Sequence, residues 1–316
     1  MAIALKRDAE LDTQAVLAAY QARLADLGLD GLSLAARLRQ RLLPERWVLE
    51  WHLPWWLGHE FGLDPETCTQ LVLSNVLGLG SIRLQDDLRD GEVAESDVAS
   101  ATILAAALYE AALDFYRVRF ASSSPIWLQL ETRMAEWRAS IGAEGVTGEP
   151  EVLARRAAPL KISAVAVCLL TGRYDQLAPV EAMLDHALAA LVLSDDFFDW
   201  RADLAAGRWN AFVASASALP QVAELTLANR SNVLAAMMAA DAVSAYFAVI
   251  RRDVKHAIAL AEELRVPALA AYLGTFGSGL EQEGAALHAR YRGLGECAAE
   301  VLLGAYAQSP PSGSNR

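Results

Sequence analysis

The stretch HALAALVLSDDFFDWRAD, residues 186–203, is the part of the sequence from which we predict the fold. An apolar run of good helix formers leads directly into an Asp-Asp-x-x-Asp motif. The chain has the same order earlier, where SNVLGLGSIRL at 74–84 leads into QDDLRD at 85–90. Because residues four apart lie about 40° from each other around a helix, each motif places carboxylates on one face. The sequence therefore predicts two long helices that each end in a cluster of aspartates.

The composition of the whole chain favours an all-α fold. The 316 residues are 54% hydrophobic and rich in Ala and Leu, with only 11 Pro and 20 Gly. No series of Val-, Ile- and Thr-rich runs with hairpin signals is present. We expect one domain over residues 1–307, a bundle of roughly ten helices around a central cavity, and a disordered tail over 308–316. The main helices are expected at 66–90, 97–120, 126–141, 151–170, 178–205, 219–229, 231–264 and 267–303.

The net charge restricts the ligands that this chain is expected to bind. Its 27 Lys and Arg against 39 Asp and Glu give −12 at pH 7. That charge is unfavourable for nucleic acids and for anionic lipid surfaces, so we expect neither as a partner. To bind a phosphorylated ligand, this negatively charged protein would need a local positive charge, such as a bound cation.

The sequence also predicts a soluble, cytoplasmic protein. Cys68, Cys168 and Cys297 lie far apart and form no CxxC or disulfide pattern, as expected in a reducing compartment. The first residues lack the apolar core of a signal peptide. Residues 233–250 are the most membrane-like stretch, but Asp241 interrupts them, so we expect no stable membrane insertion.

The aspartates of the two motifs need positive partners. Like charges at i, i+4 spacing destabilise a helix by roughly 0.2–0.5 kcal/mol each, and the repulsion grows in a low-dielectric cleft. Two solvated helix ends are the alternative, which the apolar run before each motif disfavours. Ligand sets made only of oxygen suit Mg²⁺ or Mn²⁺, and Mg²⁺ commonly joins carboxylates to phosphates. The expected metal-binding residues are Asp86, Asp87, Asp90, Asp195, Asp196, Asp199 and Asp203.

The motifs QDDLRD at 85–90 and DDFFDWRADLAAGR at 195–208 resemble the two aspartate-rich motifs of the class I isoprenoid synthases. This superfamily comprises trans-prenyl diphosphate synthases, squalene and phytoene synthases, and class I terpene cyclases. The resemblance implies the isoprenoid synthase fold, a cluster of three Mg²⁺ ions, and geranyl, farnesyl or geranylgeranyl diphosphate as substrate. It also implies that the metals promote departure of the diphosphate, which leaves an allylic carbocation in a dry apolar cavity. Members often pair as homodimers.

Carried over residue by residue, the resemblance assigns catalytic roles to five aspartates. They are Asp86, Asp87, Asp90, Asp195 and Asp199.

Two departures from the family pattern bear on the subfamily. The Arg-Arg pair that follows the first motif of chain-elongating synthases is replaced by GEVAESDVAS at 91–100, and RLRQRLLPER at 37–46 lacks the Gly-Lys of their second diphosphate site.

Several basic residues match the diphosphate contacts of the family more loosely. Lys161 lies in PLKISAVAVCLLTG, which resembles the lysine-bearing helix of the elongating synthases, and Arg208 ends the extended second motif. HARYRG near the C-terminus resembles the Arg-Tyr pair of bacterial terpene cyclases, which adds Arg290 and Tyr291. A surface ion pair is the alternative for each basic residue.

Four aromatic residues are expected to line the cavity, because aromatic ring faces stabilise a passing cation. They are Trp51, Trp55, Phe115 and Phe198. Ordinary packing between helices is the alternative for each of them.

We therefore expect a class I terpene synthase, a lyase that ionises a linear prenyl diphosphate with Mg²⁺ and cyclises or rearranges the cation. A prenyltransferase is the first alternative, either chain-elongating or condensing two prenyl chains head to head. A noncatalytic subunit that binds a prenyl diphosphate is the second alternative. Inactive subunits tend to lose their aspartates, whereas the aspartates are intact here.

Overall fold

The computed structural model describes residues 10–140, 149–217 and 242–307, and the side chains of 216, 217, 287, 288 and 290–307 are outside this description. Within these ranges every regular element is helical, which confirms the expected all-α class. The expected helix at 219–229, the first part of the one at 231–264, and the tail at 308–316 lie outside the described residues.

Within the described ranges the α-helices are numbered in chain order. They are α1 Thr13–Asp26, α2 Ser33–Arg41, α3 Val48–Phe61, α4 Pro65–Arg89, α5 Val98–Arg119, α6 Ile126–Ser140, α7 Pro150–Leu153, α8 Lys161–Leu170, α9 Leu177–Ala206, α10 Ala211–Ser217, α11 Ala242–Glu263 and α12 Pro267–Ala307. Three 3₁₀ segments, Glu95–Asp97, Ala154–Leu160 and Tyr174–Gln176, precede α5, α8 and α9.

Both acidic motifs lie at the C-terminal ends of long helices, as the sequence predicts. The first motif closes α4, which starts behind the N-cap Asp64, whose carboxylate accepts a hydrogen bond from Thr67 N–H at 2.9 Å. The second motif occupies the last part of α9. Gly91 and Gly207 follow the two helices with φ values of 70° and 68°, a left-handed conformation that glycine adopts without a Cβ penalty. These two glycines define where each acidic helix stops.

The segment 151–170, expected as one helix, is broken into α7, a 3₁₀ segment and α8. Ala157 has φ −121° and ψ 19°, outside the helical region. Pro159 follows and cannot donate the backbone hydrogen bond that a continuous helix would need. The irregular segment between α7 and α8 contains Arg155 and Arg156, which matter for the site described below.

Helix α4 is held against its neighbour α5 by buried hydroxyl groups as well as by apolar packing. Ser74 Oγ donates to the carbonyl oxygen of Ala112, and Ser81 Oγ donates to that of Ala105, both at 2.8 Å. Helix α9 packs mainly on α11. Around the second motif, aromatic residues of three helices form a separate buried cluster, with Phe197, Trp200, Phe212, Tyr246 and Phe247 among its members. Packing therefore fixes both acidic helices along their lengths.

Two described segments, Glu95–Arg119 and Tyr174–Ala206, are long and apolar enough to cross a membrane by length and composition alone. Their most apolar windows are 39% and 50% buried by the rest of the protein, and core helices of soluble proteins pass the same test. The soluble, cytoplasmic location therefore stays a prediction.

The packing of α3 on α4 depends on a glycine, and we predict the effect of replacing it. A Cβ atom at Gly58 would lie 2.5 Å from the buried Cys68 Sγ, whereas one at Gly78 would find Ala112 Cβ at 3.8 Å as its nearest neighbour. Gly58→Ala should lower the free energy of unfolding by roughly 1–3 kcal/mol through overpacking. The matched control Gly78→Ala should be neutral or up to about 1 kcal/mol more stable. Urea unfolding measures both, and equal stability of the two variants would contradict the close approach.

Candidate active site

All seven motif aspartates line one cavity of about 1120 Å³. Three come from the C-terminal end of α4 and four from that of α9. Residues far apart in the sequence thus face one space, as a shared metal site requires. The remaining lining includes apolar residues such as Leu79, Ile82, Leu113, Met134, Leu188 and Val192. It also includes the aromatic residues Trp47, Tyr109, Tyr116, Trp137, Trp209 and Tyr272.

Two of the seven carboxylates are buried and already paired with arginines. Asp87 is 5% exposed and receives both Nη groups of Arg41 on its two oxygens. Asp196 is 1% exposed, and Arg156 Nη1 donates to its oxygens at 2.8 and 2.9 Å. The backbone N–H of Ala211 adds a third hydrogen bond to Asp196 at 3.0 Å. These partners compete with a metal for the carboxylate oxygens and tie each aspartate to another part of the chain. The assignment of Asp87 and Asp196 as metal ligands therefore stays a prediction.

Asp203 is held in a bridge between the ends of the two acidic helices. Arg208 Nε donates to Asp203 at 3.0 Å, and Asn210 Nδ2 donates to the other carboxylate oxygen at 2.8 Å. Arg208 Nη1 also lies 3.3 Å from Glu92 Oε1 and 3.9 Å from Asp90 Oδ2. Arg208 therefore joins the end of α9 to the end of α4 at the edge of the cavity.

The outer carboxylates of the first motif are paired within their own helix. Arg89 lies 3.0 Å from Asp86 and 2.9 Å from Asp90, and Arg83 lies 3.6 Å from Asp86. Arg89 and Arg83 are both partly exposed, so these pairs contribute little to stability and can exchange. The pKa of Asp86 is nevertheless raised, because burial outweighs the attraction of the two arginines.

Asp195 and Asp199 are the carboxylates best suited to bind a cation. Within the described ranges neither side chain forms a hydrogen bond or an ion pair. Asp195 lines the cavity. Desolvation by the surrounding protein atoms nevertheless raises its pKa, and the negative charges of Asp199 and Asp196 raise it further. A divalent cation would relieve this repulsion. Carboxylate oxygens alone suit a hard cation such as Mg²⁺, so the donor set fits the expected metal, with Asp86 and Asp90 supplying the ligands from α4.

The cavity contains one acidic residue that the sequence motifs did not indicate. Glu50, on α3, lines the cavity. Burial raises its pKa to about 7, the charge of Asp195 adds to that effect, and Arg83 opposes it. The available signal was a single acidic residue inside the apolar, tryptophan-rich segment WVLEWHLPWW at 47–56. Glu50 therefore changes charge near neutral pH inside the cavity.

The four aromatic residues expected at the cavity lie elsewhere. Trp51 is fully buried, and its indole N–H donates to the carbonyl oxygen of Leu42 at 3.0 Å. Trp55 belongs to the same core, and Phe115 packs against its edge. Phe198 is 55% exposed. Helical spacing shows which residues share a face of a helix, but not whether that face meets the core, the solvent or the cavity. Spacing alone therefore did not identify the aromatic residues that line the cavity.

The expected diphosphate contacts divide into three cases. Arg208 lines the cavity, as described above. Lys161 does not, because its side chain is buried and its ammonium group forms an ion pair with Asp185 on α9. Lys161 is therefore removed from the expected diphosphate contacts. Arg290 and Tyr291 belong to α12, but their side chains lie outside the described residues.

No protein-family model matches this chain, and no match is found among curated proteins. A functional assignment must therefore come from the chemistry of the cavity.

We predict that two aspartates of the second motif, Asp196 and Asp199, have different effects on stability. Asp196→Ala leaves Arg156 without its buried partner and should lower the free energy of unfolding by roughly 2–4 kcal/mol. We expect less than for a fully buried pair, because the Arg156 side chain is 34% exposed. Asp199→Ala removes an unpaired charge and should leave stability unchanged or slightly higher. Urea unfolding in EDTA tests both, and equal losses would contradict the structural role of Asp196.

We also predict a pH dependence that originates at Glu50. Its pKa is about 7 in the folded protein and near 4.5 in the unfolded chain. The folded state therefore binds more protons than the unfolded state between these values, and stability falls as pH rises from about 4.5 to 7. In metal-free buffer, the free energy of unfolding of Glu50→Gln should fall by roughly 2–3 kcal/mol less than that of wild type over this range, because glutamine stays neutral. Unfolding curves at pH 5 and pH 8 measure the difference. Identical pH dependence in the two proteins would contradict it.

Proposed function

We propose that this protein is a class I terpene synthase of the isoprenoid synthase fold, which ionises a linear prenyl diphosphate and cyclises or rearranges the cation. The observation that carries the proposal is the convergence of both acidic motifs on one cavity with an extensive apolar and aromatic lining. An acidic cluster alone fits many cation sites. An acidic cluster beside an apolar space of this volume fits a ligand with an anionic head and a hydrocarbon chain.

The carboxylates have two different roles in binding the anionic head: some would bind Mg²⁺, and others hold the helix ends. Asp86 and Asp90 on α4, with Asp195 and Asp199 on α9, would hold Mg²⁺, as their exchangeable pairs or lack of partners allow. When bound, Mg²⁺ supplies charge stabilisation for the diphosphate leaving group. Asp87 and Asp196 keep their arginine partners and hold the two helix ends in place.

The arginines at the edge of the cavity supply donors for phosphate oxygens. Arg208 already spans the two helix ends and pairs with carboxylates on both. A guanidinium group binds phosphate oxygens through paired N–H donors, so Arg208 can exchange a carboxylate for the diphosphate without moving far. Arg89 is placed similarly at the end of α4, next to Asp86 and Asp90.

The rest of the cavity wall protects and steers a reactive hydrocarbon cation. Side chains such as Leu79, Met134 and Leu188 exclude water that would quench it. Aromatic residues of the lining would stabilise a positive carbon that passes their ring faces. The cation would be formed next to the carboxylates and converted along this wall.

The first test is turnover of a single allylic substrate. Purified protein with Mg²⁺ and geranyl, farnesyl or geranylgeranyl diphosphate should release diphosphate and a hydrocarbon or terpene alcohol, detected by gas chromatography. Asp86→Asn and Asp199→Asn should each lower kcat/KM by roughly 10²-fold or more, because each removes a ligand of the charge-stabilising group.

Asp175→Asn is the matched control, since Asp175 lies exposed in the turn before α9 and outside the cavity. It should keep full activity, and circular dichroism should show unchanged helicity in all three variants. Full activity of Asp86→Asn or Asp199→Asn would contradict the metal assignment. Magnesium-dependent binding without turnover of any substrate would instead support the noncatalytic subunit.

A prenyltransferase is the second candidate, favoured by one further feature of the cavity. Arg41 and Arg46, from the RLRQRLLPER segment, both line it. Arg41 is paired with Asp87, but the side chain of Arg46 forms no hydrogen bond or ion pair within the described ranges. An exposed arginine near the acidic site could bind a second diphosphate, as chain elongation requires.

Isopentenyl diphosphate distinguishes the two candidates. Products longer than the allylic substrate that form only when it is present would favour the prenyltransferase. In that case Arg46→Ala should raise the KM for isopentenyl diphosphate by about tenfold or more, while Arg138→Ala, at an exposed position outside the cavity, should not. Products from the allylic diphosphate alone would favour the terpene synthase.

A further inference from the structure

A second group of metal-ligand side chains lies outside the cavity, where α9 packs on α11. His186 comes from α9, and Asp253 and His256 come from α11. One candidate ligand atom from each of the three lies within 4.8 Å of the others. His186 Nδ1 is 3.1 Å from Asp253 Oδ1, and the rings of His186 and His256 have centroids 4.9 Å apart.

This group is separate from the acidic site. None of the three residues lines the cavity. His186 precedes Asp195 on the same helix, and the interval from 186 to 195 corresponds to about 13.5 Å along the axis. A ligand bound at one place therefore does not contact the other.

We propose that His186, Asp253 and His256 form a binding site for Zn²⁺ or a similar nitrogen-preferring dication, which joins α9 to α11. Two imidazoles and one carboxylate are a common ligand set for zinc, whereas Mg²⁺ prefers oxygen. With bonds of about 2.0–2.1 Å, tetrahedral ligands lie about 3.3–3.5 Å apart, so His186 and Asp253 already have nearly the required separation. The exposed His256 needs only a side-chain rotation to complete the set.

Because Asp253 is buried and His186 is largely buried, their positions are fixed by packing, unlike those of a cluster on an open surface. Asp253 is fully buried, and the His186 side chain is 23% exposed. Asp253 and His256 lie three residues apart on α11 and therefore on the same face. Exposure of His256 leaves room for a water molecule as the fourth ligand.

Arg252 competes with the metal. Its guanidinium group lies 3.1–3.3 Å from the oxygens of Asp253, but its side chain is 50% exposed. It can turn into solvent when a dication takes over the buried charge. The competition predicts that removing Arg252 strengthens metal binding, an effect that a simple hydrogen-bonded His-Asp pair would not show.

The test uses the full chain in excess Mg²⁺, which keeps the acidic cavity occupied while Zn²⁺ is titrated. Saturating Zn²⁺ should raise the Tm of wild type by about 5 °C or more. His256→Ala should bind Zn²⁺ at least about tenfold more weakly, measured by calorimetry, because it loses a ligand. His59→Ala, an exposed histidine on α3, is the matched control and should behave as wild type. Co²⁺ in place of Zn²⁺ should give the visible absorption of a low-symmetry nitrogen site, and His256→Ala should lose it.

The variant Arg252→Gln tests whether Arg252 competes with the metal for Asp253. Without Zn²⁺ it should have a lower Tm than wild type, because buried Asp253 loses its cationic partner. With Zn²⁺ it should gain more than wild type does. The proposal is overturned if wild type shows no Zn²⁺-dependent change in Tm, if His256→Ala binds as tightly as wild type, or if Zn²⁺ stabilises Arg252→Gln no more than wild type. None of these measurements depends on enzymatic turnover, so the proposed function can fail while this site stands, and the reverse.

Discussion

The mutual repulsion of carboxylates around one cavity is the constraint on which the rest of this structure depends. Two long helices bring seven of them together, and burial makes the charges of Asp87 and Asp196 costlier than they would be in water. Asp86 and Asp90 pair with Arg89 of their own helix end. Three others pair with arginines from three different places: Arg41 at the end of α2, Arg156 in the irregular segment before α8, and Arg208 just after α9. The acidic cluster therefore determines where three otherwise unrelated pieces of chain must lie.

That compensation is incomplete in a way that suits a ligand site. Asp87 and Asp196 are buried with two or more donors each, so they act as fixed parts of the framework. Asp195 and Asp199 remain without partners in the part of the chain that the structure describes. A framework that neutralised every carboxylate would leave nothing for a cation, and one that neutralised none would push the two helix ends apart. The observed division keeps the helices together and leaves charge available.

Helix α9 connects the chemical and structural parts of the protein. Its C-terminal end contributes four aspartates to the cavity, and its middle packs on α11 through the cluster of His186, Asp253 and His256. A metal at that cluster would hold α9 at a point remote from the cavity. The position of the second motif would then depend on α11 as well as on the charges at its own end.

The helical class, the ends of the two acidic helices and the face that each presents could be predicted from the sequence, because helical periodicity and glycine stops act over a few residues. The sequence could not show that Asp196 is buried and paired with Arg156, while the Asp199 side chain has no partner within the described ranges. It also could not show that Lys161 pairs with Asp185 or that Glu50 faces the cavity. Each of these outcomes depends on groups brought together from distant parts of the chain, since charge pairing and desolvation act through space and not along the sequence. Which acidic residues are neutralised and which remain open to a cation therefore follows from the packing of the helices and not from the motifs themselves.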